Sequence, residues 1–150
     1  MQRFSKFRNT VGIVLTSTCL VAGGVVVASS AYATSTPKLT VTPSINLTNG
    51  KVVTVSGSGF VPGDLVFVVE CLRTSKDQTG CYVPAPLPPA ATITESGTMP
   101  PTQFKIKTGK IGNGFCGNKI ATIRKCDISV GKADGTDSAA YPIVFKKPKK

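Results

Sequence analysis

Cys71, Cys81, Cys116 and Cys126 carry the most reactive side chains in the body of this 150-residue sequence, ten residues apart within each pair. Thiols at such intervals serve either a metal site or disulfides. Zinc favours Cys-x-x-Cys pairs or imidazoles, and the sequence has no Cys-x-x-Cys and no histidine. Four cysteines allow three pairings. The two short intervals suggest two local loops, Cys71–Cys81 and Cys116–Cys126, each closed by its own bridge.

Lack of histidine also removes Ser-His-Asp and Cys-His nucleophiles. Only seven acids are present, and none of them pair in a context that suits general acid–base work. Asp134, Gly135 and Asp137 resemble the start of a calcium loop but lack its remaining ligands, so "KADGTDS" reads as a turn. The Gly-rich stretch Thr108–Asn118 has no strand–GxxxxGK[ST]–helix context to cradle phosphate, and reads as a hairpin tip or cleft rim. The expectation is a protein that is not an enzyme and needs no catalytic cofactor or metal.

Disulfides require export, and the N-terminus has the matching signal. Arg3, Lys6 and Arg8 precede an uncharged apolar run, Val11–Ala28, and Ala31-Tyr32-Ala33 follows as an A-x-A cleavage site. Residues 1–33 are therefore expected to be a secretory leader removed near Ala33, taking Cys19 with it and leaving no membrane span. Residues 34–145 would form one domain, with 146–150 as a basic tail.

The full sequence carries a net charge of +11. Losing Arg3, Lys6 and Arg8 leaves fifteen cations against seven acids, a net +8. Lys146, Lys147, Lys149 and Lys150 concentrate four of those charges. A five-residue basic tail reads first as a solvated end; its functional reading is contact with DNA or an anionic envelope polymer.

The elements that would position these residues are short and β-branched. Leu39–Val41, Lys51–Ser56, Leu65–Leu72, Ala91–Thr94, Gln103–Lys107, Lys119–Ile123, Asp127–Val130 and Tyr141–Phe145 read as strands between Gly, Pro, Asn and Asp turns. That pattern argues for an antiparallel sandwich or barrel. Asn49-Gly50 is a hairpin signal. In Leu65–Cys71 the odd positions Leu65, Phe67, Val69 and Cys71 share one face, and Val66, Val68 and Glu70 take the other. A strand apolar on nearly both faces is expected at the centre of its sheet.

"LTVTPSINLTNGKVVTVSGSGFVPGDLVFVVEC", Gly80-Cys81, "TITESGTMPPTQFKIK", "CDISVG" and "YPIVF" resemble, in order, the neocarzinostatin family of secreted actinomycete apoproteins. The resemblance covers most of residues 37–145, and the Cys71–Cys81 interval is similar to the family's first bridge. It implies an immunoglobulin-like, seven-stranded antiparallel β-sandwich with a cleft between one end of the barrel and two hairpin ribbons; the exported protein is expected to be a monomer. Family members that carry a chromophore hold an enediyne there and deliver it to DNA. By position, the resemblance implies a cleft floor of Phe67, Val69 and the Cys71–Cys81 bridge, with Arg73 following and Phe115 and Gly131 opposite. Ordinary core packing is the alternative role for Phe67, Val69 and Phe115. Arg73 stands where a well-known member has a cleft aromatic, and Val69 where it has a glycine, so the floor is expected to be partly filled. The functional expectation is a non-enzymatic binding protein for a small apolar, enediyne-like ligand. Its alternative is an immunoglobulin-like envelope module held to anionic polymers, with no ligand.

Overall fold

The computed structural model describes residues 35–148. The leader assigned to residues 1–33, with Cys19 and the Ala33 cleavage site, lies outside the described residues, as do Lys149 and Lys150.

Among the described residues ten strands follow one another: β1 (Lys38–Thr42), β2 (Val52–Ser58), β3 (Leu65–Leu72), β4 (Cys81–Tyr82), β5 (Ala90–Thr92), β6 (Thr98–Lys105), β7 (Gly109–Ile111), β8 (Gly114–Cys116), β9 (Cys126–Gly131) and β10 (Ala139–Ile143). One sheet has the order β1-β2-β6; the other runs β10-β9-β3-β4, with β5 also paired to β3. Every pairing between these strands is antiparallel. Seven of the strands build the two faces of an all-β sandwich; β4, β7 and β8 are the two- and three-residue pieces of two ribbons. Among the described residues no helix is long and apolar enough to cross a membrane.

Alternation explains the sandwich. In β1 Leu39 and Val41 point inward and Lys38, Thr40 and Thr42 outward. Val53 and Val55 do the same in β2, and Cys126, Ile128 and Val130 in β9. These residues join Val66, Val68, Met99, Phe104, Ile143 and Phe145 in one buried cluster between the sheets. Each such side chain contributes roughly 1.5–3 kcal/mol through removal from water. Of the consecutive prolines Pro100 and Pro101 in β6, one nitrogen faces away from β2, where an edge strand loses no ladder bond, and the other falls at an irregularity in the β2–β6 ladder. The β2–β6 register shifts between Val55 and Gly57 opposite them.

Two local expectations change. Asn49-Gly50 does not close a two-residue hairpin between β1 and β2. Only Gly50 has positive φ (78°), whereas the hairpin turn expected of Asn-Gly needs it at both positions. The pair instead forms the tip of a turn in which Lys51 N–H donates to the Thr48 carbonyl at 3.2 Å. That turn docks on the end of β6 through Gly50 N–H to the Ile106 carbonyl (2.8 Å) and Ile106 N–H to the Lys51 carbonyl (2.9 Å). Lys119–Ile123 is not a strand but a single 3₁₀ turn, Ile120–Thr122. The Thr122 hydroxyl accepts from Lys119 N–H at 3.1 Å and bonds Asn118 Oδ1 at 3.0 Å, local bonds that compete with strand pairing.

Candidate ligand cleft

Strand β3 lies between β9 on one side and β4 and β5 on the other, so both its faces are structural. Val66, Val68 and Glu70 are fully buried toward the sandwich core. Phe67 and Val69 are half-buried on the opposite face, with Cys71 beyond them. Across the β3–β9 ladder Phe67 faces Gly131, Val69 faces Ser129 and Cys71 faces Asp127. Ser129 in turn pairs with Ala140 of β10. Large residues on β3 therefore stand beside small ones on β9 and β10, and the sheet surface is hollowed there.

The hollow is a cleft of about 460 Å³, within the usual range for small-molecule sites of roughly 300–1,000 Å³. Its walls are the β3–β4 and β9–β10 connections. They meet across the cleft where Gln78 Nε2 donates to the Ala133 carbonyl at 2.9 Å. Phe67, Val69, Cys71, Arg73, Cys81 and Gly131 all line it. Val69 thus contributes to the floor and leaves it open.

Phe115 does not line this cleft. It projects from the β7–β8 ribbon with half its surface exposed, opposite Lys110 in the ladder. Its neighbour Cys116 takes the buried face, and strand alternation sends Phe115 to solvent. Ser129, Ala140, Asp127, Gln78 and Lys132 also line the cleft, beyond the residues expected from sequence. Alternation within Asp127–Val130 could have supplied Asp127 and Ser129; the loop residues have no local signal.

The rim is polar and partly self-neutralised. Arg73 Nε donates to Asp127 Oδ1 at 2.9 Å, and Lys132 Nζ lies 3.4 Å from Asp64 Oδ2. Asp77 and Asp134 are held below the usual carboxylate range, each by the hydroxyl and backbone N–H of the threonine two residues on, Thr79 and Thr136. Both carboxylates thereby fix the turns that form the walls. Asp134–Asp137 is such a turn, and Asp137 Oδ2 accepts from Val61 N–H at 2.9 Å. An apolar floor with a few placed polar groups can orient a small molecule, while nothing in this arrangement pairs a nucleophile with a base.

Two disulfides brace the site. Cys71–Cys81 joins residues directly opposite in the β3–β4 ladder and forms part of the cleft wall. Cys116–Cys126 ties the ribbon strand β8 to β9 and is fully buried. Behind the floor, Glu70 lies within 4.8 Å of the Cys116 and Cys126 sulfurs, which are already consumed in their bridge.

Residues 39–145 match the family model described as the neocarzinostatin family. Macromomycin of Streptomyces macromomyceticus is 35% identical over 81 residues, 54% of this chain and 54% of that protein, so the match spans about half the relative's length. The solved structure of macromomycin superimposes with a TM-score of 0.51 at 27% identity, over 73% of this chain and 98% of that one. The solution structure of apokedarcidin gives 0.48 at 23% identity, over 74% and 99%.

Proposed function

Because this chain belongs to the neocarzinostatin family, we propose that it is a non-enzymatic ligand-binding protein holding one small, largely apolar molecule in the β3–β9 cleft. The observation that carries this reading is the open 460 Å³ hollow over Phe67, Val69 and the Cys71–Cys81 bridge. The small partners Ser129, Gly131 and Ala140 leave room there for a flat ring system. Phe67 and Val69 supply the apolar surface, and Gln78, Ser129 and Arg73 offer polar groups at its edge. An enediyne-like polycycle is the ligand class that the family likeness favours.

Export through the leader, and association with DNA or an anionic envelope polymer through Lys146, Lys147, Lys149 and Lys150, belong to the same proposal. Lys146 and Lys147 are exposed. The backbone of Lys146 is anchored by its N–H to the Leu47 carbonyl at 2.8 Å, so the tail leaves the domain from a fixed root.

Native mass spectrometry of protein purified from its producing cells tests ligand carriage directly. A bound small molecule whose loss follows Ser129→Phe supports the cleft as its site. Ligand-free protein that also fails to bind a naphthoate probe overturns the reading in favour of a ligandless envelope module.

A further inference from the structure

Among the described residues Glu70 is the buried charged residue of the core, with none of its surface exposed. It sits on β3 directly behind the cleft floor, between Val69 and Cys71, and pairs across the ladders with Tyr82 of β4 and Ile128 of β9. Its Oε2 accepts from the backbone N–H of Lys107 at 2.9 Å, while Oε1 is buried without a partner. Around it are the Cys116–Cys126 bridge from β8 and β9 and, from the β6–β7 corner, the Lys107 ammonium. That ammonium stands 4.2 Å over the Tyr82 ring rather than in hydrogen-bonding reach of the carboxyl. Arg73 and Asp127 pair with each other on the cleft side.

Lys107 is the corner from which the β7–β8 ribbon departs, and the ribbon supports the cleft wall. Gly112 at its tip packs so closely on Thr79 and Gly80 that a Cβ there would overlap their backbone. A Cβ on Gly114 would press on the end of the Leu72 side chain. Leu72 is itself a cleft residue, and Thr79-Gly80 lead directly from Gln78 to Cys81.

We propose that Glu70 is a buried protonation switch that sets how firmly the β7–β8 ribbon is docked against the cleft wall. As a neutral acid it keeps its single bond to Lys107 N–H and tolerates apolar surroundings. As a carboxylate it has one oxygen with no donor, a state relieved when the Lys107 corner opens and admits water. Burial pushes its pKa up to about 7, with Lys107 opposing, which places the change near neutrality. Coupling to ligand retention rests on the cleft being the ligand site; ribbon docking does not.

Amide exchange of Ile111 and Cys116, corrected for its intrinsic pH dependence, reads ribbon opening. Opening that frees the carboxyl to ionise near 4.5 should become about tenfold more frequent between pH 6 and pH 8. Release of a naphthoate probe should quicken over the same interval. Glu70→Gln keeps the acceptor, cannot ionise, and should abolish both trends. The chain has two glutamates, Glu70 and Glu95, so carboxyl ¹³C titration of the unmodified protein supplies a check independent of that variant's folding. A Glu70 signal that titrates near 4.5, or ribbon exchange with no such pH dependence, overturns the proposal. If no probe binds at any pH, the ligand reading fails, while exchange and carboxyl titration still decide the switch.

Discussion

Val69 and Ser129 stand directly opposite one another across the β3–β9 ladder, and both line the cleft. The depth of the floor is set by this pair, a branched aliphatic beside a small hydroxyl. Val69→Gly should deepen the cleft and strengthen binding of a flat naphthoate probe. It should also cost roughly 1–3 kcal/mol of stability through lost apolar burial and added backbone freedom. Ser129→Phe should occupy the hollow and weaken the same probe at least tenfold. Fluorescence titration beside urea unfolding separates the two effects; unchanged affinity in both variants would place the ligand elsewhere.

The two bridges should differ in reducibility. Cys71 and Cys81 lie in the cleft wall with Cys81 partly exposed, whereas neither Cys116 nor Cys126 is exposed. Under mild reductant Cys71 and Cys81 should be alkylated first. Each loop closed has a sequence separation of ten, for which loop entropy gives on the order of 2–3 kcal/mol. Replacing Cys116 and Cys126 with alanine should cost more than replacing the other pair, since it also removes packing beside Glu70. Peptide mapping without reduction checks the pairing itself; a Cys71–Cys116 peptide would overturn it.

Stability should rise as the solution is acidified below neutrality. The Glu70 carboxyl titrates near 7 when folded and near 4.5 when free, so between those values the folded chain holds the extra proton. Unfolding free energy should therefore be greatest near pH 4.5 and fall as pH increases to about 7, by on the order of 3 kcal/mol, then level off. Glu70→Gln should flatten this part of the profile. Urea midpoints measured from pH 5 to pH 8 decide it, with a rise across that range counting against the assignment.

Polyanion binding, if it drives localisation, should be insensitive to sequence and steeply dependent on salt. Deleting residues 146–150 should weaken retention on heparin or duplex DNA and flatten the salt slope. Affinity unchanged between low and high salt would exclude an electrostatic tether.

Much of this molecule was written in local pattern. Alternation in Leu65–Cys71 divided its residues between two faces, because successive strand side chains must point to opposite sides of a sheet. Spacing alone proposed two local bridges, and the absence of histidine discouraged catalysis. Family likeness contributed the sandwich and the floor residues Phe67, Val69 and Cys71. What alternation cannot state is what stands across the ladder. Register brought Ser129 and Ala140 beside Val69 and so decided that the cleft is open. Alternation within "GFC" turned Phe115 outward once Cys116 was committed to its bridge. Glu70 was assigned to the face shared with Val66 and Val68, but sequence could not give its consequence. Only the packing of the second sheet and the ribbon over that face removed water from the carboxyl and left one oxygen unpaired. Desolvation is a property of everything that surrounds a group, and those surroundings come from strands far apart in the chain.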